Sequence, residues 1–164
     1  MANTYKLISK NILSSSQSSI TFSSIPGTYT DLRVLCSTRN TSTSNGLYIS
    51  FNGVNTNLSN IRLYSNASTV ATYNGSDIIV YTGRSTYTTN VFDNTEIYIP
   101  NYAGSNYKSI SIDNISENAD TNNEVALTAG LWSSTSAITS ITFTPSGNSF
   151  ATNSSFYLYG IKNS

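Results

Sequence analysis

The feature that most constrains the fold of this chain is a two-residue alternation that runs from Val91 to Asp113. Apolar and polar side chains take turns on both arms: Thr95, Ile97 and Ile99 against Glu96, Tyr98 and Pro100, then Ile110 and Ile112 against Ser109, Ser111 and Asp113. Successive side chains of a strand point to opposite faces, so this period predicts two half-buried strands. Asn101–Asn106 supplies the Asn, Gly and Ser that tight reversals require, so we expect a hairpin.

The same alternation recurs along the whole chain, with turn residues between the apolar runs. Thr, Tyr, Ile and Val suit a pleated sheet, whereas Ser, Thr and Asn are mediocre helix formers. We therefore expect an all-β protein with eight to ten short strands and no significant helix. Such a pattern is typical of a two-sheet sandwich or a barrel, and the strand number suits an antiparallel, jelly-roll-like sandwich. The length of 164 residues fits one domain, which we place at 1–164.

Several segments carry specific expectations. Tyr5–Leu13 is predicted to be an edge strand, followed by a polar turn up to residue 17. Cys36 falls in the apolar row with Leu32 and Val34, so we interpret it as a small core residue and not as a reactive thiol. Asn52-Gly53 predicts a β-hairpin with a type I′ turn, because that turn needs two positive φ angles.

The segment from Val54 to Thr89 is long, polar and rich in tyrosine, and it contains two short predicted strands, Ile61–Tyr64 and Asp77–Tyr81. Loops carried on a rigid scaffold are where proteins place their variable contacts. We therefore expect binding contacts in this segment and no catalysis. Further along, Trp132 alternates with Leu127 and Leu131, which predicts that its ring lies on the outer face of the sheet or at the boundary of the second sheet.

Charge and cysteine content exclude several classes of function. Eight basic residues balance eight acidic ones, and only 10% of the chain is charged, which argues against nucleic-acid binding. No signal sequence precedes the first strand and no apolar run is long enough for a membrane helix, so we expect no membrane partner. The single cysteine permits no intrachain disulfide, which indicates folding in a reducing compartment.

The sequence offers little for catalysis. It contains no histidine, which excludes Ser-His-Asp and Cys-His arrangements and the usual zinc sites. Two carboxylate pairs could in principle support glycoside hydrolysis, Asp93 with Glu96 and Asp113 with Glu117. No motif surrounds either pair, so we interpret these acids as surface or turn residues, predict no catalytic residues and expect that the protein is not an enzyme.

Two weaker patterns leave alternatives open. Asp113 to Glu124 holds four acids and several Asn, which could supply oxygen ligands to calcium, but the spacing of an EF-hand is absent. We predict a solvated loop there, with no metal and no cofactor. Separately, an aromatic platform for sugar could be formed by Trp132, Tyr98, Tyr102 and Tyr107. Tyrosines on a sheet are more often cross-strand packing than ligand contacts.

Three long runs carry a family resemblance: EIYIPNYAGSNYKSISID at 96–113, ALTAGLWSSTSAITSITFTPSGNSF at 126–150 and FYLYGI at 156–161. The opening SSITFSSIPGTYTDLRVLCSTR at 18–39 fits the same pattern, as do FNG at 51–53 and IRLY at 61–64. Over residues 18–161 the chain resembles a β-sandwich module of virion structural proteins from tailed bacteriophages, notably marine and cyanobacterial ones. That module stands alone or ends tail-fibre-like proteins.

The resemblance implies a non-enzymatic virion protein that decorates or cements the capsid, or forms a small head or tail appendage, as a homo-oligomer with a trimer as one option. Its partners would be other virion proteins and itself, and its location the virion, assembled in the host cytoplasm. No attachment region or coiled coil precedes Ile20, which favours a stand-alone component over a fibre shaft. The alternative is a tail-fibre or adhesin module that binds a host surface glycan. Six aromatic residues are the candidate contact surface: Tyr64, Tyr73, Tyr81, Tyr87, Tyr102 and Trp132.

Overall fold

The computed structural model of the protein describes residues 4–66, 68–117 and 123–162, and within these ranges it contains twelve β-strands and no helix. In chain order the strands are β1 (Tyr5–Ile12), β2 (Ile20–Phe22), β3 (Asp31–Thr38), β4 (Gly46–Phe51), β5 (Leu58–Asn66), β6 (Thr69–Gly75), β7 (Ile79–Tyr81), β8 (Asp93–Ile99), β9 (Lys108–Ser116), β10 (Glu124–Trp132), β11 (Ile141–Pro145) and β12 (Ser155–Ile161). No helix in the part of the chain just listed is long and apolar enough to cross a membrane.

The strands form two antiparallel sheets that enclose one core. The larger sheet has eight strands in the order β1-β12-β3-β8-β9-β10-β5-β6, and the smaller has four in the order β2-β11-β4-β7. This confirms the all-β class and the two-sheet sandwich. Twelve strands exceed the eight to ten expected, and β6, which pairs with β5, is one that the sequence reading missed. The division into eight and four strands does not confirm a jelly roll.

The predicted central hairpin is present as β8 and β9, with Ile97 opposite Ile112. Its turn is fixed from two sides. The carboxylate of Asp31 accepts hydrogen bonds from Tyr98 Oη (2.8 Å) and from the Asn101 amide (2.9 Å). The Lys108 ammonium is fully buried and donates to the carbonyls of Gly104, Asn106 and Ser134 at 2.7, 2.6 and 3.3 Å. These bonds give the buried ammonium its hydrogen-bond partners and tie the turn to it.

Asn52 and Gly53 adopt the two positive φ angles that the sequence predicts, 53° and 75°. Phe51 and Val54 exchange both backbone hydrogen bonds across this turn. The chain does not return beside β4, however, but crosses to the larger sheet as β5. The Asn52 side chain instead ties the turn to the segment before β11, because its oxygen accepts from the amides of Thr139 and Ser140.

The apolar part of the core lies between β3, β8, β12 and the smaller sheet. Cys36 is buried there, as predicted, and burial raises the pKa of its thiol. Phe156 packs against Phe143 and Phe150, with ring centroids 5.4 and 5.0 Å apart. Such aromatic contacts add to the large area that each ring buries.

Of the two positions expected for Trp132, the outer face was wrong, because the ring packs against the second sheet. Its ring is 2% exposed and packs against Phe51 with ring centroids 5.5 Å apart, whereas Leu127 is 59% exposed on the other side of the strand. The alternation was identified correctly, but its two faces were exchanged. Strand β10 buries a row of small and polar residues together with Trp132 and turns its branched apolar residues to solvent.

Candidate functional site

A row of buried polar side chains crosses the inner face of the larger sheet. Ser116 is paired with Glu124, and the pairing of Asn94 with Ile115 places Asp93 beside Ser116. Asp93 and Glu124 are only 1% and 9% exposed. One strand separates these two acids, so their Cα atoms lie about 10 Å apart. The expectation that Asp93 is a surface or turn residue was therefore wrong.

Arg62 projects into the same interior from β5 and is held among three tyrosines. Its guanidinium carbon lies 4.2 Å from the ring centroid of Tyr81, 4.8 Å from that of Tyr64 and 5.3 Å from that of Tyr73. Arg62 Nη2 also donates to Tyr81 Oη at 2.9 Å. Tyr64 and Tyr73 come from β5 and β6 and Tyr81 from the smaller sheet, so the arginine joins the two sheets by cation–π contacts.

The segment 83–92 covers this interior and is held by Arg39. The two terminal nitrogens of Arg39 donate to four backbone carbonyls of the segment at 2.8–3.1 Å: Ser85, Tyr87, Thr88 and Val91. Arg39 also forms a β-bridge with Gly83. Because a guanidinium presents its donors in a rigid fork, one side chain can fix the segment as a cover.

Between this cover and the sheet lies a polar cavity of about 160 Å³. Its lining combines tyrosine rings, amides, one arginine and one carboxylate: Asn45, Tyr64, Asn66, Tyr81, Arg84, Tyr87, Asn123 and Glu124. Two of these residues present polar atoms that no described group hydrogen-bonds, Glu124 Oε1 and Arg84 Nε. Behind the lining, Arg62 Nε and Nη1 and both carboxylate oxygens of Asp93 are likewise unpaired within the described chain.

Burial controls the titration of the two acids. It raises the pKa of Asp93 to about 6, against the opposing effects of the Ser116 hydroxyl and of Arg39 and Arg84. The Ser116 hydroxyl gives the largest of these opposing effects, although it makes no hydrogen bond of good geometry to the carboxylate. Burial likewise raises the pKa of Glu124 to about 7, opposed first by Arg62. Both acids are therefore available as hydrogen-bond donors or acceptors near neutral pH.

The buried charges do not form direct ion pairs. Arg33 and Glu96 form an ion pair at 2.6 Å, and it lies on the other, outer side of the sheet. The inner carboxylates and guanidiniums influence one another through space while unpaired atoms of both kinds remain. Such an arrangement can bind a ligand that both donates and accepts hydrogen bonds.

Four of the six predicted contact residues are brought together at this cavity. Tyr64, Tyr81 and Tyr87 line it, and Tyr73 lies behind Arg62. The other two, Tyr102 and Trp132, are buried in the apolar core, where Tyr102 donates to the Pro26 carbonyl. Their side chains therefore present no contact surface. Since both also belonged to the predicted sugar platform with Tyr98 and Tyr107, that platform is not assembled.

The acid pairs considered for hydrolysis are not brought together either. Asp93 points into the core, whereas Glu96, three residues on, lies on the outer side with Arg33. Asp113 and Glu117 are both exposed and would be about 13 Å apart along an extended chain, beyond the spacing that glycoside hydrolysis uses. The two acids that do share one side of the sheet are Asp93 and Glu124, which are both buried on its inner side. Their spacing in the sequence could not indicate this.

The calcium alternative at Asp113–Glu124 falls partly on residues 118–122, which lie outside the described ranges. Of its ends, Asp113 is exposed on the outer face of β9, whereas Glu124 faces the interior from β10. The described residues contain no cluster of three or more metal-ligating side chains. The two end residues therefore point away from each other across the sheet.

The outer side of β9, β10 and β5 has the opposite character. Five branched apolar side chains, each at least half exposed, form a continuous outer apolar face: Ile61, Leu63, Ile115, Val125 and Leu127. Leu127 is directly opposite Leu63 on β5, and Val125 is opposite Ile115 on β9. Because these residues are neighbours across the strands, their side chains form one patch. Antiparallel sheets usually turn such apolar side chains toward the core.

A wider cleft of about 480 Å³ lies elsewhere, between β4 and the segments around Asn55 and Asp77. Its one acid, Asp77, already accepts a hydrogen bond from Asn60 at 3.1 Å. The smaller cavity is the better candidate because its charged lining atoms remain unpaired. Its arginine and acid, Arg84 and Glu124, were missed by sequence reasoning, although Glu124 opens a strongly alternating run and so marks the polar face of that strand.

No protein-family model matches this chain, and no curated protein matches it. The resemblance to phage virion modules therefore stays a prediction from the sequence runs that carry it.

Proposed function

We propose that this protein is a non-enzymatic structural component of a bacteriophage particle, which decorates or cements the capsid or forms a small head or tail appendage as a homo-oligomer. The observation that carries the proposal is the outer apolar face on β9, β10 and β5. Exposed apolar patches larger than roughly a few hundred Å² mark interaction surfaces, and five half-exposed branched side chains reach that range.

We propose that a second copy of the chain binds to this face. The formal net charge is zero, so copies do not repel one another as highly charged subunits would. Leu63 and Leu127 lie at the middle of the patch, directly opposite each other, and the charged residue beside them in register is Asp113. A twofold axis through such a patch pairs leucines with leucines, which is the arrangement of a closed symmetric contact.

Two measurements test this proposal. Quantitative mass spectrometry of purified particles should find the chain in fixed stoichiometry, with many copies on a head or a few to a few tens on a tail. Analytical ultracentrifugation of the isolated protein should show an oligomer that dissociates when Leu63→Lys and Leu127→Lys are combined. Absence of the chain from the particle would exclude a virion role, and a monomeric wild type would exclude this face as the contact between copies.

The position of the buried acids supports the non-enzymatic part. Of Asp93 and Glu124, only Glu124 lines the polar cavity, while Asp93 lies behind Ser116 and away from any ligand there. Acid–base hydrolysis of a glycosidic bond needs two carboxyl groups on opposite sides of the scissile bond. Hydrolysis of a surface polysaccharide that Asp93→Asn abolishes would contradict this part of the proposal.

A second candidate function is an adhesin module that binds a host surface glycan. It is favoured by the grouping of Tyr64, Tyr81 and Tyr87 with Arg84 and Glu124 around one cavity, because aromatic rings and polar groups of both kinds are what sugars contact. A glycan array and a whole-cell binding assay test it. Strong and specific binding by the isolated protein would support the adhesin, and absence of binding to any glycan or cell would leave the structural role alone.

A further inference from the structure

The polar cavity under segment 83–92 contains more hydrogen-bonding capacity than the surrounding protein satisfies. Glu124 is more than nine-tenths buried, lines the cavity, and has an oxygen, Oε1, that no described residue hydrogen-bonds. Arg84 lines the same cavity with an unpaired Nε–H. A buried polar group left without a partner is destabilising, so these atoms mark the cavity as a place where a partner binds.

The unpaired atoms include acceptors and donors in the same small volume. Glu124 accepts and Arg84 donates, and both are within a cavity whose remaining walls are tyrosine rings and Asn side chains. A hydroxyl group satisfies both needs, because it donates one hydrogen bond and accepts two. A molecule with several hydroxyls on an apolar ring also has C–H faces that pack against the rings of Tyr64, Tyr81 and Tyr87.

The charges around the cavity disfavour ionic ligands. A cation would meet the guanidinium of Arg84 and an anion would meet the carboxylate of Glu124, with one further charge of each sign, Arg62 and Asp93, behind the lining. A neutral ligand avoids both repulsions and leaves the through-space balance of the buried charges unchanged. The volume of about 160 Å³ lies below the roughly 300–1,000 Å³ of drug-sized pockets, so the ligand is small.

We infer that this cavity is a binding site for a single neutral sugar residue, held by Glu124 and Arg84 through its hydroxyls and by Tyr64, Tyr81 and Tyr87 through its ring faces. Arg62 acts as a positioning residue, because its three-tyrosine environment fixes Tyr64 and Tyr81 where they line the cavity. Arg39 fixes the cover that carries Arg84 and Tyr87. The inference rests on the adhesin candidate above, to which it assigns a site and a ligand class.

The direct test is ligand binding by the full chain with defined probes. Glucose, galactose, mannose, rhamnose, N-acetylglucosamine and N-acetylgalactosamine are each titrated up to about 10 mM, above a weak 1 mM affinity, in saturation-transfer NMR and calorimetry. Glycine, inorganic phosphate and tetramethylammonium serve as zwitterionic, anionic and cationic probes. We expect saturable binding of at least one sugar, with backbone amide shifts at Arg84, Tyr87 and Glu124.

Matched variants locate the site. Glu124→Gln keeps the size of the side chain but exchanges a charged acceptor for a neutral one, so it should weaken sugar binding about tenfold. Asp113→Asn makes the same kind of change on the outer side of the sheet and should leave the affinity within about twofold. Because Glu124→Gln also removes a buried charge, it should not unfold the protein, which a thermal melt checks.

Three results would overturn the inference: no sugar of the panel binds, an ionic probe binds at the cavity in preference to all sugars, or sugar binding is unchanged in Glu124→Gln. A sugar that binds while the chain is absent from purified particles would overturn the virion proposal and leave this site intact. A chain found in particles that binds no sugar would overturn this site alone.

Discussion

Two halves of the larger sheet use the same alternation in opposite senses. In β3, at one half, Leu32, Val34 and Cys36 point into the core, as antiparallel sheets usually arrange their apolar residues. In β10 and β5, at the other half, Glu124 and Arg62 point inward while Leu127 and its neighbours face solvent. The regular half, which includes β3, stabilises the fold by apolar packing. The inverted half, which includes β10 and β5, has a polar cavity on its inner side and the outer apolar face on its other side.

This inversion buries charged side chains and exposes apolar ones, which is unfavourable for folding and therefore indicates a functional region. A shift of β10 by one residue would bury Leu127 and expose Glu124, because the side-chain period of a strand is two. The observed register instead buries Trp132 against Phe51 and places Gly130 where its missing side chain leaves room for Ile78, 3.1 Å from the position of a Cβ. Local packing at the Trp132 end thus determines a register that leaves polar groups buried at the Glu124 end.

The largest effect should come from the regular half. Phe156→Ala removes a fully buried ring that contacts Phe143 and Phe150, and should lower the free energy of unfolding by about 3–5 kcal/mol. Chemical denaturation followed by fluorescence measures the change. A loss below about 1 kcal/mol would mean that this half is not the stabilising core.

The buried acids of the inverted half should make stability depend on pH. Their folded pKa values, about 6 for Asp93 and about 7 for Glu124, lie above the ordinary values of 3.8 and 4.5. The folded state therefore binds protons more tightly than the unfolded state, so stability should rise as the pH falls from about 8 to about 4.5, by a few kcal/mol.

The control is the double variant Asp93→Asn, Glu124→Gln, which should have lost most of this pH dependence and should be more stable than the wild type at pH 8. Thermal melts at pH 8 and pH 5 measure both quantities. Equal slopes in the wild type and the double variant would show that these two acids do not titrate in this window.

A moderate effect should come from the turn of the central hairpin. Lys108→Met keeps the length of the buried side chain but leaves the carbonyls of Gly104 and Asn106 without their donor, and should cost about 2 kcal/mol. Lys10→Met, on the exposed side of the edge strand, is the matched control and should change stability by less than about 0.5 kcal/mol. If Lys108→Met leaves the free energy of unfolding unchanged, the ammonium does not hold the turn.

The smallest effect on folding should come from the outer apolar face. Leu127→Thr places a β-branched residue, which suits a strand, at an exposed position, so the free energy of unfolding at low protein concentration should change by less than about 0.5 kcal/mol. The same variant should weaken association between copies, which sedimentation at increasing concentration detects. A large loss of stability in the dilute monomer would place Leu127 in the core after all.

Much of the fold was predictable from alternation and turn chemistry. The β8–β9 hairpin, the Asn52-Gly53 turn and the burial of Cys36 depend on local residues, and the structure confirms them. The sense of β10 was not predictable in this way, because alternation alone does not state which row is inside. In this strand the larger apolar residues form one row and the small and polar residues the other, and such a pattern usually indicates that the apolar row is buried.

The candidate site was predictable only in part. The tyrosine-rich segment before residue 89 contains the three aromatic residues that line the cavity, and the frequency of tyrosine in one polar stretch was the signal. Glu124 comes from a strand far along the chain from Arg62, which lies between Ile61 and Leu63. Their meeting depends on β5 pairing with β10, a long-range contact that no local pattern specifies.

The inverted sense of β10 is the central claim, and cysteine labelling tests it most directly. With Cys36 buried and unreactive, Leu127→Cys and Thr128→Cys are compared for their rate of reaction with a maleimide in dilute native protein. Labelling of a buried position requires local opening, so Leu127→Cys should react about a hundredfold faster or more. Faster labelling of Thr128→Cys would mean that the row of Leu127 is the buried one. That result would contradict both the polar cavity and the outer apolar face.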